Sequence, residues 1–260
     1  MSVVLFLVLV AQAATAHEFW IEAEKYQVTP VVPVKAGLFN GQSFEGVELA
    51  WFERRIAAAR WGIGDAGAAF EGRAGERPAL QLESGAEGLL RLIYQSQPSE
   101  VSYTEWEKFA RFVTGVDAGW VLEQHRARGL SEKRIRESYT RYCKALIAVG
   151  HGAGADAFSG MEFELVVLDN PYESRPTGGI AVQVYYQGKP RGETQLEVFE
   201  RAPDGGVVQT KLHTDAQGIV QVPVAAGHRY LLNAVVVRAQ DVKDVPWESL
   251  WASMTFEVPR

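Results

Sequence analysis

Apolar and polar positions divide the chain into stretches of two different periods. Between residues 17 and 101 the apolar residues fall in short runs: Glu18 to Ile21, Pro30 to Lys35, Val47 to Arg54, Pro78 to Leu82 and Gly88 to Tyr94. Val47, Leu49 and Trp51 alternate with their neighbours at the period of a half-buried strand. Glycines and other turn residues over Gly37–Gln42 and Gly62–Gly75 predict a loop and hairpins between the runs. Short strands with turn signals between them predict an antiparallel sandwich over residues 17–101.

The period changes over residues 102–150. Thr104 and Glu107 have the spacing of a capping box, and Trp106, Phe109, Ala110 and Val113 repeat at helical spacing. A second helix is predicted from Asp117 to Arg126, with Gly129 as its stop. Ser131 is placed to cap a third helix. Ile135, Tyr139, Tyr142, Leu146 and Val149 would form its apolar stripe, and Glu137 and Arg141 a surface ion pair one turn apart. Cys143 lies within that helix as a structural residue. Residues 151–175 read as a returning strand, Met161 to Asp169, and a linker. Alternation is cleanest over residues 176–260, with strands at Ile180–Tyr186, Thr194–Glu200, Val207–His213, Ile219–Val224, Tyr230–Arg238 and Ser253–Val258. Turns rich in Asp and Gly join them. The expected fold is mainly β: two immunoglobulin-like β-sandwich domains with a helical segment between them, the second equally prealbumin-like.

Composition and the first residues narrow the compartment. Of 260 residues, 47% are hydrophobic, enough for packed cores, and the net charge of −6 argues against nucleic acid as a partner. The single cysteine, Cys143, leaves no internal disulfide. The apolar run Val3–Val10, followed by small residues ending in Ala14-Thr15-Ala16, reads as a signal peptide over residues 1–16. That run is too short to span a bilayer, which takes ~20 residues. A periplasmic protein, soluble after cleavage, is expected.

Cleavage after Ala16 would make His17 the first residue. Its α-amine and imidazole Nδ1 then form a chelate whose nitrogens suit nickel, cobalt, copper and zinc. The other histidines are His125, His151, His213 and His228, and no pair has the i, i+4 spacing of a compact metal motif. His151, in a glycine loop with Asp156 nearby, is a second candidate ligand. His125, at the end of the second predicted helix where the dipole favours a cation, is a third. His213 and His228 flank one strand at opposite ends and are expected as loop surface residues. Arg126, Arg128, Lys133, Arg134, Arg136, Arg141 and Lys144 gather into a local positive face suited to an acidic partner. No nucleophile elbow, phosphate loop or zinc-protease histidine pair occurs. The remaining enzymatic reading is a copper monooxygenase-like centre on His17, which needs a second histidine.

Three phrases belong together: His17-Glu18-Phe19-Trp20, Glu137-Ser138-Tyr139-Thr140-Arg141-Tyr142-Cys143-Lys144-Ala145-Leu146, and Trp251-Ala252-Ser253-Met254-Thr255-Phe256-Glu257. Their order and spacing resemble the domain-of-unknown-function family 4198, grouped with periplasmic components of cobalt and nickel uptake systems. The resemblance covers nearly the whole mature chain. It implies transition-metal handling beside a membrane metal-uptake system. The family pattern carries a histidine in the glycine loop where this chain has Asn40, Gly41 and Gln42, and another where it has Ala234–Val237. The terminal strands also resemble repeat-type sandwiches with Thr-Asp-x-x-Gly turns, here Thr214–Gly218. The expected function is a non-enzymatic accessory that binds or delivers nickel or cobalt ahead of copper, with His17 as anchor. The alternative is a structural or adaptor protein that uses sandwich edges or the basic helix for protein contacts.

Overall fold

The stripe Ile135, Tyr139, Tyr142, Leu146 and Val149 lies on a strand and not on a third helix. The computed structural model describes residues 17–173 and 178–260; the expected leader and residues 174–177 of the expected linker lie outside the described residues. In chain order the first strands are β1 (Glu18–Ala23), β2 (Gln27–Val28), β3 (Val34–Gln42), β4 (Glu45–Leu49), β5 (Ile56–Ile63), β6 (Ala66–Ala69), β7 (Leu80–Leu82), β8 (Gly88–Ser96) and β9 (Ser99–Tyr103). Helices α1 (Trp106–Gly115) and α2 (Trp120–Ala127) follow, then β10 (Ile135–Val149) and β11 (Phe163–Val167). The remainder is β12 (Ile180–Tyr186), β13 (Lys189–Pro190), β14 (Gln195–Arg201), β15 (Val207–His213), β16 (Ile219–Val222), β17 (Arg229–Val242) and β18 (Val245–Glu257). The protein is mainly β. Among the described residues no helix is long and apolar enough to cross a membrane.

One ten-stranded sheet runs through the molecule in the order β15-β14-β17-β18-β10-β8-β5-β6, with β2 and β9 also paired to β10. It draws strands from both halves of the chain, joined where β10 and β18 pair in parallel. A parallel central strand is covered on both faces and reads as a continuous apolar run. Every residue of β10 from Thr140 to Val149 is buried, which hides the period of two behind an accidental helical spacing. Cys143, Ala145, Ile147 and Val149 face a core shared with β1, β3 and β8, whereas Tyr142 and Leu146 face the core shared with β11, β12 and β17. The alternation is complete once the two cores are separated.

Two smaller sheets cover the large one. β1-β3-β4, with β7 on β3, packs over β10 and β18, and β11-β12-β13, with β16 on β12, packs over the C-terminal strands. Ser253 and Thr255 of β18 donate hydroxyl hydrogen bonds to the Phe19 and Ile21 carbonyls at 2.7 and 2.6 Å, which fixes β1 across the sheet. The glycine stretch expected as a loop is instead the end of β3. Gly41 and Gly46 are cross-strand partners there, and a Cβ on Gly41 would stand 1.9 Å from the Glu45 carbonyl oxygen. Glycine lets β3 and β4 approach, and Ser43 and Phe44 turn the hairpin with positive φ at both positions, as a two-residue turn requires.

The helices follow the expected stripe but not the expected caps. Glu105, not Thr104, occupies the position before α1, and no side chain caps the helix. Phe109, Phe112 and Val113 bury against Trp247 and Trp251 of β18. Gly129, with positive φ, ends the α2 region as predicted.

Candidate functional site

His17 is exposed just before β1. Glu18 pairs with Gly41, and Gln42 pairs with Glu45 in the next strand. One step back along the same register, His17 therefore stands in line with Gln42 and Glu45 on one face of β1-β3-β4, since cross-strand neighbours share a face. His17, Asn40, Gln42, Ser43 and Glu45 line an open cleft of about 560 Å³. Asn40, Gly41 and Gln42 thus lie on the strand beside His17. The cleft holds no second histidine, so a copper monooxygenase-like centre lacks its second imidazole there. Among the described residues no group of three or more His, Cys, Asp or Glu gathers into a metal cluster.

Alternation turns Glu18 away from His17. Its carboxylate accepts the Ser43 amide at 3.0 Å in a second cleft, of about 200 Å³, with Lys108, Arg111, Glu197 and Lys211. Burial first, and the charge of Glu197 second, push the Glu18 carboxyl up to about 7.

The other two candidate histidines are elsewhere. His125 is buried, and both ring nitrogens are engaged: Nδ1 accepts the Trp247 indole N–H at 2.9 Å and Nε2 lies 3.0 Å from the Ser131 carbonyl. The Nδ1 lone pair is taken and Nε2 carries the proton shared with the carbonyl, so neither nitrogen is left for a metal and His125 is a packing residue. His151 is exposed after β10, but the Asp156 expected beside it is not. Asp156 is buried and holds Lys144 Nζ at 3.0 Å, and Glu164 holds the same ammonium at 2.6 Å. Both carboxylates also accept backbone amides of residues 157–167, so this trio organises the turn into β11.

The basic stretch does not form one face. Lys144 and Arg141 lie on opposite sides of β10, Arg128 stacks on Trp247, and Arg126 and Arg136 pair with Glu132 and Glu100. The expected Glu137–Arg141 surface pair is absent too. Glu137 is buried and accepts hydrogen bonds from Tyr103 (2.9 Å) and Ser249, and burial pushes its carboxyl up to about 7. Cys143 is buried, with its thiol pushed up to about 12 by burial, which leaves it unreactive.

Sequence reasoning missed Arg141 as a site residue. It is 8% exposed, and its guanidinium lies 4.1 Å from the Trp251 ring centroid and 5.0 Å from that of Tyr139. It borders a cleft of about 510 Å³ that also takes in Phe19, Phe52, Tyr94 and Tyr139. Read as strand rather than helix, the phrase Tyr139-Thr140-Arg141-Tyr142-Cys143 sets the arginine between apolar same-face neighbours. That was the available signal.

The model of the family described as "Domain of unknown function (DUF4198)" matches residues 14–238. No curated protein matches the chain.

Proposed function

The chain belongs to the DUF4198 family, and we propose that it is a periplasmic accessory protein that binds and passes on a transition-metal ion, nickel or cobalt ahead of copper, at His17. One observation carries this reading: the register that sets exposed His17 in line with Gln42 and Glu45 at an open cleft. In a chain cut after Ala16, His17 alone supplies two nitrogens, the α-amine and Nδ1, and the Glu45 carboxylate adds an oxygen. Mixed nitrogen and oxygen donors suit borderline metals. The remaining positions fall to water or to a receiving partner, as a cargo site requires. Such a partner would be a membrane metal-uptake system.

Both nitrogens must be deprotonated to bind, so affinity falls as the solution is acidified. Calorimetric titration of exported protein with Ni²⁺, Co²⁺ and Cu²⁺, beside a form with one extra N-terminal Met, tests the reading. One-to-one binding in the exported form and its loss in the extended form is the expected result. Equal binding by both forms, or by neither, would remove His17 as the anchor.

A further inference from the structure

Arg141 carries a permanent charge that no carboxylate of the fold pairs directly; Glu137 and Glu18 act on it only from beyond ion-pair distance. Among the described residues no carboxylate lies within ion-pair distance of its guanidinium, and Nη1 is buried with no hydrogen-bond partner. A buried charge without a partner is costly, and arginine does not escape the cost by losing its proton. Such a group is retained where a ligand supplies the missing anion. The protein's own contacts to it are the faces of Trp251 and Tyr139, which hold the plane of the fork and leave its donor edge unused.

We infer that the cleft of about 510 Å³ beside Arg141 binds a small organic carboxylate with a flat apolar body, its carboxylate seated on the Arg141 guanidinium. The volume falls within the range of small-molecule sites. Phe19 and Tyr94 stack with centroids 5.2 Å apart on one side, and Phe52 and Tyr139 supply further aromatic wall. Arg55 adds a second cation, and Glu100, the one carboxylate in the lining, is already paired with Arg136. Ser96 Oγ accepts the Arg141 amide at 2.9 Å, which leaves its own hydroxyl hydrogen to donate into the cleft. On a chain of net charge −6 this is a locally cationic pocket with aromatic sides. A planar fork matches a carboxylate in two parallel hydrogen bonds, a geometry that a spherical ion does not use.

Asn40 and Leu49 line both this cleft and the one at His17, so the two sites are neighbours. The carboxylate site nevertheless uses no metal, and its test is run with chelator present, so it can fail or succeed independently of the metal reading. The exported protein is titrated with benzoate, acetate, benzamide and inorganic phosphate, followed by calorimetry and by tryptophan fluorescence, since Trp251 lies against the guanidinium. Benzoate is expected to bind one-to-one with a Kd of about 1 mM or tighter, and benzamide about tenfold more weakly or worse, for loss of the charge-assisted pair. Acetate, without the apolar body, is expected to be weak, as is phosphate.

Two variants separate ligand binding from structure. R141M removes the unpaired charge while keeping an apolar side chain, so its Tm without ligand is expected to be equal or higher, with benzoate binding lost. R141K keeps the charge but not the fork, and is expected to fold and to bind about tenfold more weakly. No saturable benzoate binding, phosphate binding in its place, wild-type affinity in R141M, or a lowered Tm or failed folding in R141M would each overturn the inference.

Discussion

Arg141 of β10 and Trp251 of β18 are cross-strand partners in the one long parallel pairing of the large sheet, and the guanidinium lies 4.1 Å from the indole centroid. The indole N–H donates to Ser249 Oγ at 2.8 Å, and Ser249 in turn donates to Glu137. Trp251 thus ties a cleft wall to a buried polar chain. Replacing it with leucine removes the platform under Arg141 and most of an indole from the core. W251L is expected to lose about 3 kcal/mol in denaturant unfolding and to weaken benzoate binding. An unchanged midpoint would mean that the stacking has no structural consequence.

The Lys144–Asp156–Glu164 trio makes a separate prediction. All three are buried, so removing the ammonium leaves carboxylates without their partner. K144M is expected to cost about 3 to 5 kcal/mol, read from urea unfolding. A loss within the range of an exposed pair, below about 1 kcal/mol, would contradict the burial of the trio.

Glu137 sets a pH dependence. Its folded-state value of about 7 lies above the ordinary 4.5, so the folded chain keeps a proton that the unfolded chain loses. Its contribution to stability is full below about 4.5 and declines as pH rises to about 7, after which it is flat. Glu18 is shifted the same way. In E137Q the stability difference from wild type should therefore move in favour of the variant between pH 4.5 and 7. A difference that is constant with pH would show that Glu137 titrates normally.

Gly41 tests the scaffold of the His17 row. Since a Cβ there would stand 1.9 Å from a backbone oxygen across the hairpin, G41A must part β3 from β4. The variant is expected to unfold at lower denaturant and to lose metal affinity together, because Gln42 and Glu45 move. Intact metal binding in a destabilised G41A protein would place the ligands elsewhere.

Where a strand keeps exposed or half-buried positions, its extent is readable: Ile180–Tyr186 and Val207–His213 appear with the bounds their sequence predicts. Where both faces are covered, it is not. β10 has ten buried residues in succession, and a helical stripe can be drawn through any such run. The same misreading placed Arg141 and Glu137 as a surface pair and Lys144 on an exposed basic face. Long-range parallel pairing, which buries all three, leaves no local mark. Gly41 is a different failure: a glycine that signals a loop serves close approach to Gly46 of the next strand. The chelating terminus proposed at His17 rests on residue order alone, whereas the alignment of Gln42 and Glu45 beside it depends on register.

The most direct measurement is addition of Co²⁺ to isotope-labelled exported protein, with the paramagnetic broadening of each backbone amide followed by NMR. Binding at the proposed site predicts broadening confined to the start of β1 and to the residues around Asn40–Val47, reversed by a chelator and absent from the form with an extra Met. Broadening centred on His151 or His213, or none at stoichiometric metal, would contradict His17 as the metal anchor.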